Sequence, residues 1–252
     1  MKGARLITIG PSHYCEKARW ALDRAGLVYT EEKHLPLVHW VASFRTSKQR
    51  MVPILLTEGR ALSDSTEIIR YIDAGLPEAK RLFPEGALGE EVRQLEESFD
   101  EHLGTAARRW AYCILTRHPD VFERIFAPDL SRMERALLKT GRPLLVEAMK
   151  RAFRVSDRAR VRMEENVRRI FEQTTKRLAD GRRYLTGDRF TAADVTFASL
   201  ATPVLLPDGV GHPFPPRSYV PNDYIGFVNE LSATPAGIFA HRIYAEDRRQ
   251  RA

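Results

Sequence analysis

Hydrophobic and polar positions follow two different rhythms along this chain, and the change of rhythm divides it. Residues 6–9 are a short apolar run of the kind that forms a buried strand. From Cys15 the apolar positions fall at helical spacing, with Cys15, Ala18, Leu22 and Ala25 on one face and Gly26 as a C-terminal stop. Residues 28–35 read as a second, more polar strand, and residues 39–50 as a short helix and loop. Two further strand-like runs, 54–57 and 60–62, flank Glu58-Gly59, a hairpin signal. A helical pattern then runs from Ser65 to Ala74 and is ended by Gly75. The predicted order over residues 1–76 is β-α-β-(α)-β-β-α.

Residues 77–88, with two prolines, read as a linker. Beyond them only the helical rhythm recurs. Val92, Leu95, Phe99, Leu103, Ala106, Trp110 and Cys113 form one stripe of a long helix over 89–117. Further helices are predicted near 129–153, 157–180 and 191–206, and a last one from Pro235 behind a capping Thr234. Six prolines between positions 203 and 221 argue against helix or central strand there. That stretch is either an ordered surface connection or a lid over a ligand cleft. The run Phe190-Thr191-Ala192-Ala193-Asp194-Val195 fits a capping box, with Thr191 as N-cap and Asp194 at N3, so Asp194 reads as a folding residue. The expected architecture is α/β plus all-α: a domain over 1–76, a linker over 77–88 and an all-helical domain over 89–252.

A chain of 252 residues is long enough for two cores. Hydrophobic content of 43% with 29% charged residues is that of a soluble globular protein. The longest nearly apolar stretch, 195–206, is too short to span a bilayer, and no secretory signal pattern opens the sequence. A cytoplasmic protein, not a membrane one, is expected. Two cysteines, Cys15 and Cys113, make no disulfide framework, and the seven histidines show no metal-binding spacing, so no metal is expected. The net charge of +7 lies wholly within residues 150–183, where Lys and Arg number 12 against 5 Asp and Glu. Met163, Val167, Ile170, Phe171, Thr174 and Leu178 run through that segment as a helical stripe, which leaves most of its arginines on a solvated face. Nucleic acid is therefore not an expected partner; a polyanion site and a subunit or partner contact are the alternatives to a solvated face.

Three short segments carry the candidate chemistry. They are Ser12-His13-Tyr14-Cys15 at a strand-to-helix turn, Met51-Val52-Pro53-Ile54-Leu55-Leu56 entering a strand, and Ser63-Asp64-Ser65-Thr66-Glu67 at a helix start. In this order and spacing, and with Tyr184-Leu185-Thr186-Gly187-Asp188-Arg189-Phe190-Thr191-Ala192-Ala193-Asp194 further on, the chain resembles the glutathione S-transferase family. The resemblance is strongest over 4–74 and 184–200, and thin across 118–183 and 203–252. It implies a thioredoxin-like N-terminal domain, an all-helical C-terminal domain, glutathione as co-substrate, a small electrophilic molecule as second substrate, and a homodimer.

Glutathione presents a γ-glutamyl zwitterion, a thiol and a glycyl carboxylate. Ser65 begins a helix, where free N–H groups and the dipole favour a carboxylate, and Asp64 can meet the neighbouring ammonium. N-capping by either residue is the competing reading, and the family more often has Glu or Gln than Asp at this place. The resemblance implies a cis Val52–Pro53 bond, with the Val52 backbone offered to the cysteinyl part; from sequence alone trans is the commoner isomer. Arg50 and Lys48, with His39 as a looser candidate, stand where the glycyl carboxylate can be met, or are simply surface charge. Ser12 can donate to the sulfur and lower a thiol pKa of about 8.5 by one to two units. Each unit asks for about 1.4 kcal/mol, within reach of one hydrogen bond plus the helix dipole. Cys15 is the alternative catalytic residue. Ser-x-x-Cys resembles a redox Cys-x-x-Cys whose first cysteine has become serine, yet Cys15 shares an apolar face with Ala18 and Leu22 and reads as a packed thiol. No tyrosine stands in Leu6-Ile7-Thr8-Ile9-Gly10, which points to a serine-type site. The acceptor pocket is expected from the first helix and the helix over 89–117, with His102, Arg109 and Trp110 as conceivable liners.

The expected activity is transfer of glutathione to an electrophile, as in detoxification. Two rivals remain: a glutathione-dependent lyase, isomerase or reductive enzyme of one metabolite, and a non-catalytic interaction module that uses the basic face.

Overall fold

The computed structural model describes residues 3–248. Its sheet is built around β1 (Ala4–Thr8), which pairs in parallel with β2 (Tyr29–Lys33) and antiparallel with β3 (Ile54–Thr57). β4 (Arg60–Leu62) closes the hairpin, giving the order β2-β1-β3-β4. A parallel pair needs a crossover, and α1 (His13–Arg24) supplies it. Leu6, Leu55, Ala18 and Leu22 are fully buried, and α3 (Ser65–Ala74) adds Ile68, Ile69 and Ile72 to the same core. β2 is polar because it is an edge strand whose charges are paired, as in the 2.7 Å contact of Arg19 with Glu31. The ambiguous stretch after it forms α2 (His39–Ser47), ended by Lys48 at a φ of 60°.

The rest is helical: α4 (Gly86–Ser98), a π-helical segment (Phe99–Gly104), α5 (Thr105–Leu115), α6 (Pro119–Phe126), α7 (Arg132–Ala152), α8 (Asp157–Arg177), α9 (Ala192–Leu200), α10 (Thr202–Leu205), α11 (Asn222–Ser232) and α12 (Pro235–Glu246). Every residue of α9 is buried, so this helix is the axis of the helical core. Its capping box is formed: the Thr191 N–H donates to Asp194 Oδ2 at 2.7 Å, and the Leu185 N–H donates to Oδ1 at 2.8 Å. At α12 the Thr234 hydroxyl accepts from the Gly237 N–H at 3.0 Å. The expected class, a small α/β unit followed by an all-helical one, is the class observed.

Three details differ from expectation. The long helix starts at Gly86, inside the expected linker, and its middle is π-helical. The short helix α6 and the helix α11 were not anticipated. The proline-rich stretch opens with α10 and is then tethered as an ordered connection. Buried His212 donates through Nε2 to the Ile125 carbonyl at 2.8 Å, and the Gly211 N–H donates to Glu16 at 3.0 Å. Gly10 permits that approach, since a Cβ there would lie 2.6 Å from the His212 ring. The basic segment behaves as a solvated face. α8 buries Met163, Val167, Ile170, Phe171 and Thr174, while Arg168 and Arg177 pair with Glu230 and Glu91.

Candidate active site

The chain leaves β1 and closes a turn in which the Ser12 N–H donates to the Ile9 carbonyl at 3.0 Å. Ser12 then caps α1, its Oγ accepting from the Cys15 N–H over a long 3.4 Å. A hydroxyl used only as an acceptor keeps its own proton for another partner. At α3 the cap is Asp64, whose Oδ1 accepts from the Thr66 and Glu67 N–H groups at 2.8 and 3.2 Å. Ser65 follows at the first helical position. It is 1% exposed, and its Oγ has no hydrogen-bond partner among the described residues. Such an orphaned hydroxyl calls for an acceptor from outside the chain. The Val52–Pro53 bond is cis.

These segments meet at one cleft of about 610 Å³ between the sheet unit and the helices, and Ser12, Arg50, Val52, Pro53, Asp64 and Ser65 all line it. His39 lines it too, donating through Nε2 to the Arg50 carbonyl at 2.9 Å, and the Arg50 guanidinium lies 5.3 Å from the Trp40 ring centre. Lys48 stands outside, exposed over the Phe44 ring. Cys15 does not reach the cleft: it is fully buried, and burial pushes its thiol up, which opposes the thiolate a nucleophile needs.

The opposite wall differs from expectation. His102, Arg109 and Trp110 do not line the cleft. Arg109 donates to the Arg154 carbonyl at 2.9 Å, and buried Trp110 donates to Glu164 at 3.1 Å. Tyr14, Asp100, Thr105, Arg108, Tyr112 and Leu115 stand there instead. The Tyr14 hydroxyl donates to the Asp100 carbonyl at 2.8 Å, and burial pushes its pKa up to about 12, so it is already committed as a donor. His13 donates through Nε2 to the Gly104 carbonyl at 2.9 Å and is held neutral, its pKa lowered by burial to about 3.

Beneath the cleft floor lies a charge cluster that the sequence reading missed. Lys17, fully buried, bonds Glu96, Asp100 at 2.8 Å and the Thr66 hydroxyl at 2.9 Å, locking α1, α3 and the π segment together next to Ser65. The available signal was Glu96, a carboxylate four residues after Val92 and three before Phe99 on the apolar stripe.

A cleft between a thioredoxin-like unit and a helical bundle, with helix starts on its floor, defines the class. Two family models match: Glutathione S-transferase, N-terminal domain, over residues 6–80, and Glutathione S-transferase, C-terminal domain, over 138–209. The chain belongs to the glutathione S-transferase family. Solved structures share the fold at low identity. Beta-etherase LigF from Sphingobium sp. strain SYK-6 is 18% identical over 95% of this chain and 98% of that one, with a TM-score of 0.59. A glutathione S-transferase from Rhodospirillum rubrum F11 is 21% identical over 96% and 98%, with a TM-score of 0.55. Another from Methylobacterium radiotolerans, in complex with glutathione sulfonate, is 20% identical over 95% and 94%, with a TM-score of 0.54. A search of curated protein sequences gives no match. Among the described residues no helix is long and apolar enough to cross a membrane.

Proposed function

We propose that this protein is a glutathione transferase in which Ser12 favours the glutathione thiolate for attack on a small electrophile. The observation that carries the reading is the Ser65 hydroxyl, buried in the cleft without a partner beside the start of α3. A γ-glutamyl carboxylate supplies the acceptor it lacks, and the dipole of α3 favours the same charge. Asp64 spends Oδ1 on the cap, which leaves Oδ2 for the ammonium. Val52 pairs the extended tripeptide backbone, and Arg50 meets the glycyl carboxylate. Ser12 donates to the sulfur, and the thiol proton leaves to solvent. A C–S bond then forms as the leaving group departs with its electron pair. In this reading residues 1–76 hold the tripeptide, residues 89–252 shape the acceptor end, and a cytoplasmic homodimer is the working form. Glutathione-dependent cleavage would use Ser12 alike and differ at the acceptor end. An interaction module finds less support, because Arg168, Lys176 and Arg177 of the basic face are already ion-paired.

Calorimetric titration with reduced glutathione tests the proposal. Wild-type protein is expected to bind at millimolar affinity or tighter, and Ser65→Ala to weaken binding about tenfold, the loss of one hydrogen bond to a charged group. The variant's melting temperature is expected to hold, since the hydroxyl it removes has no partner within the chain. Absence of heat at two temperatures with folded protein would overturn the reading.

A further inference from the structure

The acceptor end of the cleft contains a cation with no counter-charge. Arg108 of α5 lies with its guanidinium 5.5 Å from the centres of both the Tyr14 and the Phe153 rings. Among the described residues it forms no ion pair and no hydrogen bond, and its Nε is buried without a partner. The other arginine on this cleft, Arg50, stands at the far side over Trp40. None of the cleft's carboxylates is paired with Arg108 among the described residues: Asp100 is bound by Lys17 and Thr66, Asp64 caps α3 through Oδ1 and faces the tripeptide end through Oδ2, and Glu101 points to solvent-exposed surface without an ion pair. His13 is neutral and adds no second cation. The rings beside Arg108 are those of Tyr14 and Phe153, with the Tyr112 ring packed on Phe153 at 4.4 Å between centres, and Leu115, Phe126 and Phe214 add apolar lining to the same cleft.

A guanidinium is costly to hold half-desolvated without an acceptor, and its planar fork matches a carboxylate. The flat rings on either side suit a planar hydrocarbon body. We propose that the acceptor substrate is an aromatic carboxylic acid whose carboxylate is bound by Arg108, which makes Arg108 the residue that sets substrate class. The assignment rests on the glutathione reading only for the reaction that follows; the binding of the acid stands on the cleft itself.

The test is a titration of the full chain, with and without saturating glutathione, with benzoate, phenylacetate and cinnamate and with their neutral amides. The amides keep shape and remove charge. At least one acid is expected to bind about tenfold tighter than its amide, the scale of a charge-assisted hydrogen bond. Arg108→Gln is expected to bring that ratio to about one and leave the glutathione affinity unchanged, and Arg108→Lys to keep part of it. Equal binding of acid and amide, no binding of any acid, or a ratio that survives Arg108→Gln would each overturn the proposal. So would an Arg108→Gln variant that loses glutathione and the acid alike, because the guanidinium would then belong to the tripeptide. Should Arg108→Gln fail to fold, Arg108→Lys takes its place, and an acid-to-amide ratio that it leaves undiminished would overturn the assignment. An Arg108-dependent ratio in a protein that ignores glutathione would support the substrate class while overturning the transferase reading.

Discussion

Gly104 shows how single atoms set the shape of the cleft. It ends the π segment with ordinary helical backbone angles, so its lack of a side chain matters through space alone. A Cβ there would lie against the Tyr14 hydroxyl, 2.7 Å from the ring's Cζ and 3.2 Å from Leu200 Cδ1. Gly104→Ala gains about 1 kcal/mol of helix propensity. Against this stand about 1–3 kcal/mol for overpacking and about 1 kcal/mol for the Tyr14–Asp100 hydrogen bond. The clash outweighs the gain. Denaturant unfolding is expected to show a net loss of about 1–3 kcal/mol, with weaker binding of aromatic ligands as Tyr14 turns into the cleft. Unchanged or higher stability would show that Tyr14 yields freely.

At the scale of elements, local chemistry was legible and helical phase was not. Ser12, Val52–Pro53 and Ser65 each sit where a strand meets a turn or a helix begins, and short-range sequence marks such places. So do the capping box of Thr191 and Asp194 and the start of α12 at Pro235. The acceptor wall depends on rotation about a long helix. The stripe Phe99, Leu103, Ala106, Trp110 and Cys113 is buried as expected, but the π segment Phe99–Gly104 alters the turn beneath it. The cleft face falls on Asp100, Thr105, Arg108 and Tyr112 and passes over His102 and Arg109. α6 has only eight residues, too few for a periodic signal to stand out. α11 carries an evident stripe, Tyr224, Phe227, Val228 and Leu231, but it begins directly behind Pro221 at the end of the proline-rich stretch. Of the lysine–carboxylate cluster only Glu96 is marked in the sequence, by its place on the apolar stripe; Lys17, Thr66 and Asp100 are ordinary helix residues until tertiary packing brings them to it.

At the scale of the whole molecule, buried histidines tie distant segments together and make the fold sensitive to acid. His13 joins α1 to the π segment, and His212 joins the proline-rich connection to α6; burial lowers their pKa values to about 3 and about 4. The unfolded value is about 6.5, so unfolding takes up a proton at each site as the pH falls below it. Stability is thus lost on the acid side, at about 1.4 kcal/mol per pH unit for each histidine. His39 and His241, also lowered by burial, act in the same direction. His34 opposes them. Its hydrogen bond to Glu134 raises its pKa, so its contribution is complete below about pH 6.5 and fades as the pH rises through the raised value. Denaturant unfolding between about pH 7 and about pH 5 is expected to show a loss of about 2–4 kcal/mol. His212→Gln should reduce the slope by about one proton, and a flat profile would contradict the assignment of neutral histidines.

If Ser12 shifts the glutathione thiol toward thiolate, the ultraviolet absorbance of the bound thiolate across a pH titration reads that shift directly. A difference spectrum against the glutathione-free protein cancels the two buried cysteines. The bound thiol is expected to titrate about one to two units below the free value in wild type, and at about the free value in Ser12→Ala with glutathione still bound. A bound thiol that titrates at the free value in wild type, or a lowered value that survives Ser12→Ala, would contradict that role for Ser12.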